Sequence, residues 1–436
     1  MPVRRLGFYM PRANYLKVMG PLIDHVVRQR GGEYQAVLLL PRWDVSKPEQ
    51  RVDGAALARA WGSRVTICEL PTVAALVTLV TGGGLDALFS VQPALSDIGA
   101  ADADRLRAAS LEQGTKWVAL PEGFSQSGYV ATRAPSLVAN WDLVCTVGAH
   151  SMRYIDRHLE RMEPRLAAAL RERIAVVGYP EFDALDTMDS HSAIRQKYDL
   201  PADKPIVVVA TAARSVPLSV NTWTARGLDA RFRGDTPRSL AAVVARTVSL
   251  RYPTLISYRR YLDAVRSFAD ANGAVVVAKT RTKHRDHPYV ADAADYLIDD
   301  RSFLPFTTLE LLRVASLYFG FYSNTVSEAV VSGRYAITAL FAPPRAMQSD
   351  PAWREYGRAM TWGPDGLWDV SGVSEVIDGT TAEGSRALDR FARAGLDAYR
   401  VDEARRREVL RDFFNYPCNS SALVLDALAA RWSTPG

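Results

Sequence analysis

The chain contains 436 residues, of which 48% are apolar and 23% are charged, so it is long enough and apolar enough to bury two hydrophobic cores. No apolar run is long enough to span a membrane, and Arg12 and Lys17 interrupt the N-terminal stretch, so neither a transmembrane segment nor a signal peptide is predicted. The net charge of +5 suits anionic ligands, but the arginines are spread along the chain, which argues against a nucleic-acid partner. We therefore expect a cytoplasmic protein, either free or peripherally associated with the inner face of the membrane.

The cysteine and histidine pattern argues against a metal site. The three cysteines are far apart in the sequence and do not have the spacing of metal ligands. Cys68 and Cys145 lie in apolar, strand-like runs, so we expect both to be buried free thiols. His284 and His287 lack a nearby Cys or Glu that would complete a site. The sequence therefore predicts no bound metal and no cofactor.

The first half of the chain alternates short apolar runs with amphipathic stretches, of which residues 19–30 are the clearest helix. Three glycines at 82–84 precede an apolar run instead of following one, so they indicate the end of a helix and not a dinucleotide-binding fingerprint. This alternation predicts a parallel, doubly wound sheet. The predicted strands are residues 5–10, 35–40, 65–70, 85–90, 117–120, 143–147 and 174–178.

Residues 184–203 are polar and resemble a linker with a short helix, and the alternation then restarts. The simplest account is an α/β protein with two Rossmann-like domains, joined by this linker and closed by C-terminal helices. Residues 214–251 form a long insertion rich in Arg, Thr and Ser, which is an acceptor loop, a lid or a mobile insertion. Residues 387–414 are charged and helical and are expected to face solvent, and residues 420–432 form a last helix. The predicted strands of this half are residues 206–211, 274–279, 296–298, 317–321 and 335–340.

The stretch that begins at residue 317 predicts a strand, a tight turn, a short helix and a second strand. Ser323, Asn324 and Thr325 follow the strand at once, and all three residue types cap helices well. The first amides of such a helix have no internal partner and lie at the positive end of its dipole, so the turn is a candidate phosphate site. Glu328 lies in the first turn, within reach of a sugar hydroxyl beside a bound phosphate. The alternative is an ordinary, well-capped turn.

A cationic loop follows the predicted strand 274–279, again at a carboxyl end. Lys279, Arg281, Lys283 and His284 would face the same cleft between the domains as the turn at residue 323. Lysine and arginine complement phosphate, so these four residues are candidate nucleotide-binding residues. The alternative is a solvated loop that happens to be rich in charge.

Glu122 follows the predicted strand 117–120 and precedes Gly123. A carboxylate exposed to a cleft at the end of a strand is placed to act as a general base that deprotonates an acceptor hydroxyl. A surface glutamate in an ordinary turn is the alternative.

The chain resembles nucleotide-dependent transferases of the GT-B fold, and in pattern CDP-glycerol glycerophosphotransferases and related surface-polysaccharide enzymes. The resemblance covers about residues 117–330, and its most specific part is the sequence GYPEFD at 178–183. Where the family usually has a His-Gly pair after a first-domain strand, this chain has Glu122-Gly123. The other similar segments are residues 142–148, 174–177, 204–211, 279–284 and 323–333.

The resemblance implies two Rossmann-like domains that face a central cleft. It implies a metal-independent transferase that takes a nucleotide-activated sugar or a CDP-polyol and acts on a glycan or lipid-linked acceptor in cell-surface polysaccharide synthesis. Lys279 and Arg281 would neutralise charge on the departing nucleotide, and Glu122 would be the base. The implied domains are an acceptor domain at 1–183, a linker at 184–203, a nucleotide-donor domain at 204–412 and a C-terminal helix at 413–436.

Two other classes remain open at this point. UDP-N-acetylglucosamine 2-epimerases share the architecture and the phosphate turn, although the start of this chain differs from theirs. A non-catalytic nucleotide-sugar-binding protein, or a scaffold for an assembly complex, is the third class. Turnover of a donor without any acceptor would favour the epimerase, and binding without turnover would favour the scaffold.

Overall fold

The computed structural model describes residues 2–43, 51–91, 95, 98–211, 255–280, 286, 288–299, 306–321, 323–341 and 351–433. The chain forms two compact units, one made of Met1–Asp186 with Leu410–Gly436 and the other of Thr187–Val409. The chain leaves the first unit just after the GYPEFD motif and returns to it inside a helix near the C-terminus.

The first unit contains a seven-stranded parallel sheet in the order β3-β2-β1-β4-β5-β6-β7. Its strands are β1 Arg4–Tyr9, β2 Tyr34–Pro41, β3 Val65–Leu70, β4 Ala87–Val91, β5 Lys116–Leu120, β6 Leu143–Thr146 and β7 Ile174–Val176. The helices of this unit that precede the second unit in the chain are α1 Leu16–Gln29, α2 Gly54–Trp61, α3 Val73–Thr81, α4 Ala100–Gln113, α5 Ser125–Asn140, α6 Ala149–Leu159 and α7 Pro164–Arg173.

The second unit contains a six-stranded parallel sheet in the order β10-β9-β8-β11-β12-β13. Its strands are β8 Ile206–Ala210, β9 Val275–Lys279, β10 Tyr296–Ile298, β11 Leu317–Phe321, β12 Ala336–Leu340 and β13 Ser374–Asp378. The helices described in it are α8 His191–Lys197, α9 Tyr258–Ala271, α10 Pro288–Ala293, α11 Thr307–Val314, α12 Thr325–Val331, α13 Pro351–Gly357 and α14 Ala382–Arg393. Two helices complete the chain, α15 Glu403–Phe414 and α16 Ser420–Ser433.

Both sheets place their first and fourth strands side by side, and the chain runs outward in both directions from that pair. This is the strand order of a Rossmann fold, and ligands bind such sheets at the carboxyl ends of the strands where the order reverses. The reversal lies between β1 and β4 in the first unit and between β8 and β11 in the second. The prediction of two Rossmann-like domains is therefore confirmed.

Each sheet is covered by helices that bury an apolar face. In the second unit, Phe319 and Ile337 pack with Tyr261 and Phe268 of α9 and Phe391 of α14. In the first unit the corresponding cluster joins residues of β2, β4, β5 and β6 to α3, α4, α5 and α6. These strands read as continuous apolar runs because both faces of a parallel sheet are buried.

The GYPEFD motif has a structural role in the first unit. Both carboxylate oxygens of Asp183 accept hydrogen bonds from the first amides of α16, at 3.0 Å from Ser420 and 2.7 Å from Ser421. Gly178 has φ +83°, and a Cβ there would lie 2.5 Å from the Ser420 hydroxyl and 2.7 Å from the Cys418 sulfur. The motif therefore anchors the C-terminal helix to the strand end, with glycine where no side chain fits.

Several expectations differ from the structure. The predicted solvent-facing stretch 387–414 is two helices, and α15 buries Leu410 and Phe414 because they pack on the first unit. Strand β13 was not predicted. Cys145 is buried as expected, but Cys68 is only half-buried.

No helix in the described ranges is both long and apolar enough to cross a membrane. The insertion 214–251 lies outside the described residues.

Candidate functional site

The turn that carries Ser323, Asn324 and Thr325 follows β11, one of the two strands at the reversal point of the second sheet. Ser323 and Thr325 are half-buried and Asn324 is exposed. The turn therefore lies where ligands bind in sheets of this order.

The polar groups of this turn, which we call the donor turn (residues 323–325), bond to one another. The Ser323 and Thr325 hydroxyls are 2.9 Å apart, and the Thr325 amide donates to Ser323 Oγ at 3.2 Å. The Ser327 amide donates to the Asn324 carbonyl at 2.9 Å. The expectation that the first amides lack internal partners is thus wrong for these two, because the turn tightens and closes local hydrogen bonds.

Helix α12 starts at Thr325, and Glu328 lies in its first turn with 3% of its surface exposed. The helix ends at Val331, and Gly333, two residues later, has a φ of +73° that suits a left-handed cap. Arg406 of α15 donates to the carbonyls of Val330 and Val331, at 3.2 and 3.1 Å. Charge at this end complements the helix dipole, so α12 is fixed at both ends.

Lys279 is the last residue of β9 and is 8% exposed. It pairs with Ala210 of β8, which pairs with Gly320 of β11, which pairs with Thr338 of β12. Residues in register in a parallel sheet point to the same face, and this face is opposite to the aromatic cluster that contains Phe319. The row thus places a buried ammonium on the same face as two positions with little or no side chain.

Residue 320 has room only for glycine, because the ring of Tyr318 lies over this position. A Cβ at residue 320 would overlap the Tyr318 hydroxyl and lie 2.5 Å from Cζ. Tyrosine side chains in strands lean along the strand direction, and here the hydroxyl is carried from residue 318 to the level of residue 320. The phenol therefore forms part of the layer beneath the carboxyl end of β11.

The other predicted members of the cationic loop, Arg281, Lys283 and His284, lie outside the described residues. The structure brings Lys279 to the same sheet edge as the donor turn, while the roles of the three remain predictions. Among the described side chains, His, Cys, Asp and Glu form no group of three that could hold a metal ion.

In the first unit, Glu122 follows β5 and is half-buried, and Gly123 has φ +56°. Helix α5 begins directly after this turn. Burial raises the pKa of Tyr129 in α5, with Arg133 lowering it and Glu122 raising it further. The Arg133 guanidinium lies 5.3 Å from the centre of the Tyr129 ring. The carboxylate of Glu122 is therefore beside the first turns of α5.

A second charged group lies at the end of β6, where α6 begins. Arg153 donates to both carboxylate oxygens of Asp412 at 2.8 and 2.6 Å, and His150 stacks on Phe413 with ring centres 4.1 Å apart. Arg153 holds the pKa of Asp412 below its usual range despite partial burial. A Cβ at Gly148 would lie 2.5 Å from the Phe413 carbonyl carbon, so backbones pack here without side chains between them.

Three buried polar residues near Glu122 were missed from the sequence: Gln126, Ser127 and Thr146. A signal for Ser127 was present, because it occupies the same helical stripe as Val130, where an apolar residue is expected. Thr146 ends an apolar strand and gave no such signal.

Comparisons with solved structures give matches over the whole chain. A protein described as a UDP-N-acetylglucosamine 2-epimerase from Listeria monocytogenes is 12% identical, with a TM-score of 0.54 over 100% of this chain and 98% of that one. The wall teichoic acid polymerase TagF is 12% identical, with a TM-score of 0.54 over 99% of this chain and 90% of that one. S. aureus MnaA, in a structure with UDP, is 11% identical, with a TM-score of 0.51 over 99% and 97%.

No protein-family model matches the chain, and no curated protein matches it in sequence. At 11–12% identity the structural matches establish the fold and nothing more specific. The chain therefore has the GT-B fold of two Rossmann-like domains, shared with a teichoic acid polymerase, with a protein described as a 2-epimerase and with MnaA.

Proposed function

We propose that the protein is a transferase that takes a nucleotide-activated sugar or polyol phosphate and adds it to a glycan or lipid-linked acceptor in cell-surface polysaccharide synthesis. The observation that carries the proposal is the position of the donor turn: Ser323 and Thr325 lie at the reversal point of the second sheet, with Lys279 at the same edge. The fold shared with TagF, a wall teichoic acid polymerase, supports the assignment to surface polymers.

On the donor side, the hydroxyls of Ser323 and Thr325 would exchange their mutual hydrogen bond for bonds to the donor phosphates. Lys279 would stabilise the negative charge that develops on the departing nucleotide, because a fixed cation in a buried site does not need to reorganise during the reaction. Asn324 would bind the phosphates from the exposed side of the turn. Glu328 would accept a hydrogen bond from the ribose, which requires the ligand to reach a side chain that is now buried.

The proposed remainder of the donor site is Arg281, Lys283 and His284, with Arg281 sharing the catalytic role of Lys279. On the acceptor side, Glu122 would act as the general base, since its carboxylate stands after a strand end of the first unit and beside α5. No metal and no cofactor are required by this scheme. Peripheral association with an anionic membrane surface would bring the enzyme to a lipid-linked acceptor.

A nucleotide screen tests the donor site. Purified protein is heated with UDP-, CDP-, GDP- and CMP-linked donors, and a ligand present at 100 times its dissociation constant should stabilise the folded state by about 2.7 kcal/mol. The double variant Ser323→Ala, Thr325→Ala should lose most of the response to the donor that stabilises the wild type, because both hydroxyls at the phosphates are gone.

Ser190→Ala is the matched control. Its hydroxyl accepts from the Ala193 amide at the start of α8, and the neighbouring His191 interacts with Arg334, which precedes β12 at the opposite sheet edge. The control therefore loses a helix cap without touching the donor turn and should keep the full ligand response. A double variant that responds to the donor as the wild type does would place the phosphate site elsewhere.

A second candidate, a UDP-N-acetylglucosamine 2-epimerase-like enzyme, is favoured by the match to 98% of the protein described as a 2-epimerase. It predicts turnover of the UDP-sugar when no acceptor is present. A transferase releases nucleotide rapidly only when the acceptor is added, so a nucleotide-release assay with and without a glycan acceptor separates the two. Binding of a nucleotide sugar without any turnover would indicate a non-catalytic binding protein.

A further inference from the structure

Three buried polar atoms lie near the carboxyl ends of β5 and β6 in the first unit: Gln126 Oε1, Ser127 Oγ and Thr146 Oγ1. Their residues are 1%, 0% and 1% exposed, and within the described ranges none of the three atoms has a hydrogen-bond partner. Most buried polar groups in folded proteins are paired, since an unpaired one costs stability. Three such atoms close together in the sequence and the fold therefore require an explanation.

Ser127 and Thr146 lie on facing surfaces. Ser127 shares a helical stripe with Val130, one turn further on, and Val130 packs in the cluster that contains Val144 of β6. Thr146 is two residues after Val144, so strand alternation puts it on the same face of the sheet. Helix α5 packs against β6. The two hydroxyls thus belong to the layer between the start of α5 and the end of β6.

Gln126 is held toward the neighbouring strand end. Its Nε2 donates to the Leu120 carbonyl at 2.5 Å, at the last residue of β5. A carbonyl can only accept, which fixes the amide group with its nitrogen toward Leu120 and leaves Oε1 as the unpaired acceptor. Strands β5 and β6 are neighbours in the sheet, so this oxygen and the Thr146 hydroxyl lie at adjacent strand ends, next to the turn that carries Glu122.

The chemistry of these groups defines what they can bind. An amide oxygen and an ionised carboxylate only accept hydrogen bonds, whereas serine and threonine hydroxyls donate and accept. A ligand that satisfies Gln126 Oε1 must therefore supply O–H or N–H donors. A phosphomonoester dianion supplies only acceptors, and the negative charge of Glu122 beside α5 would repel any phosphate, inorganic phosphate included. A neutral group with two neighbouring hydroxyls matches the set.

We propose that Gln126, Ser127 and Thr146 form a diol pocket, which binds a neutral vicinal diol of the acceptor beside Glu122. This deepens the proposed function and rests on it for the identification of the diol as part of the acceptor. The three residues are positioning residues in this scheme: they bind the hydroxyls of the acceptor and orient it, while the proton is taken by Glu122.

The first experiment measures binding of a diol probe to the full-length protein. Glycerol is titrated while its binding is followed by ligand-observed NMR, in parallel with 1,2,3-trimethoxypropane, which has the same skeleton without O–H donors, and with inorganic phosphate. We expect glycerol to bind and both controls to fail. Equal binding of glycerol and its trimethyl ether would overturn the proposal, because hydrogen-bond donation would then not matter.

The second experiment uses Thr146→Val and Ser127→Ala, which remove one hydroxyl each with little change of shape. Loss of one uncharged hydrogen bond should weaken glycerol binding about three- to tenfold. Thr115→Val is the matched control, since Thr115 is also buried, at 2% exposure, but its hydroxyl donates to the Leu85 carbonyl at 2.7 Å. The control should bind glycerol as the wild type does.

A stability measurement distinguishes a ligand pocket from a structural network. An unpaired hydroxyl does not stabilise the folded state, so Thr146→Val should keep or raise the melting temperature. Thr115→Val removes a paired hydroxyl and should lower it. If Thr146→Val lowers the melting temperature as much as the control does, the hydroxyl is paired within the protein and the proposal fails.

Failure of this proposal can be told from failure of the proposed function. Loss of the diol pocket leaves the nucleotide response of the second unit untouched, because the pocket lies wholly in the first unit. If no nucleotide donor stabilises the protein while glycerol binding still depends on Ser127 and Thr146, the pocket stands and the transferase assignment falls.

Discussion

The two sheets differ in whether the hydroxyl groups at their carboxyl edges have hydrogen-bond partners. At the donor turn, Ser323 and Thr325 satisfy each other, with their hydroxyls 2.9 Å apart. In the diol pocket, Ser127 Oγ and Thr146 Oγ1 are buried and, among the described residues, unpaired. Both regions follow parallel strands of Rossmann-like sheets, so the difference comes from the side chains and not from the topology.

The difference has an energetic consequence for binding. A ligand at the donor turn exchanges one hydrogen bond for another, and such exchanges contribute about 0.5–1.5 kcal/mol each. A ligand in the diol pocket relieves atoms that already bear a desolvation cost of about 1–3 kcal/mol each. Affinity at the donor turn should therefore be a sum of several modest contributions, whereas affinity in the diol pocket should depend on the fit of its hydrogen bonds.

The largest expected effect is on the turnover rate, when Glu122 after β5 is replaced. Glu122→Gln keeps the shape of the side chain and removes its basicity, so turnover with saturating donor should fall by about 10²–10⁴. Nucleotide binding, measured by thermal shift, should stay unchanged because the donor turn is in the other unit. Near-wild-type turnover would remove Glu122 from the mechanism and direct attention to His150, His284 or His287.

An intermediate effect is expected on stability beneath the donor turn. Gly320→Ala places a Cβ against the Tyr318 phenol, 2.5 Å from Cζ, and overpacking of this kind costs about 1–3 kcal/mol. The free energy of unfolding in urea should fall by that amount. It should recover in the double variant Gly320→Ala, Tyr318→Leu if the phenol is the cause.

Gly32→Ala is the control for the loss of a glycine, since no atom outside its own neighbourhood lies within 4 Å of a Cβ there. It should leave the free energy of unfolding nearly unchanged. Equal free energies of unfolding for Gly320→Ala and wild type would mean that the Tyr318 side chain can move away at no cost. The layer under the donor turn would then not be rigidly packed.

The smallest effect is expected from the ion pair between Arg153 and Asp412, which lies at the end of β6 in the first unit. Arg153→Met removes the partner of Asp412, whose folded-state pKa is depressed chiefly by that hydrogen bond. A depressed carboxyl pKa contributes stability above the unfolded-state pKa and loses it as the pH falls through the folded-state pKa. Because the pair is partly exposed, the deficit at pH 7 should be below about 1 kcal/mol.

Chemical denaturation of Arg153→Met and wild type from pH 7 into the acid range measures this effect. The two unfolding curves should converge in acid, where Asp412 is protonated in both proteins. A deficit that persists unchanged at low pH would come from lost packing of the arginine stem and not from its charge.

Much of the fold could be predicted because its strands are buried on both faces. Leu317–Phe321 is buried throughout and has the predicted bounds, since its apolar run is bounded by turn residues on each side. Strand β13, Ser374–Asp378, was missed because it is an edge strand with acidic residues among its five positions. Its pairing with β12 depends on tertiary contacts that a local pattern does not contain.

The candidate site was predicted in part for a similar reason. The donor turn and Lys279 could be placed from the order of strand and loop alone, and the structure brings both to one edge of the sheet. The unpaired hydroxyl of Thr146 could not be predicted, because it depends on which atoms are absent from its surroundings. The roles of Glu122, Glu328 and the cationic loop remain predictions.

Helix α15 belongs to both units, with residues 403–409 in the second and residues 410–414 in the first. The first unit is therefore discontinuous along the chain, and α1, near its start, packs against α16, near its end. On the ribosome, all residues of the second unit emerge before α16 does. We expect the first unit to remain incompletely folded, with its α16-binding surface exposed, until α16 has left the ribosome. The unit that is synthesised first would then be the one that finishes folding last.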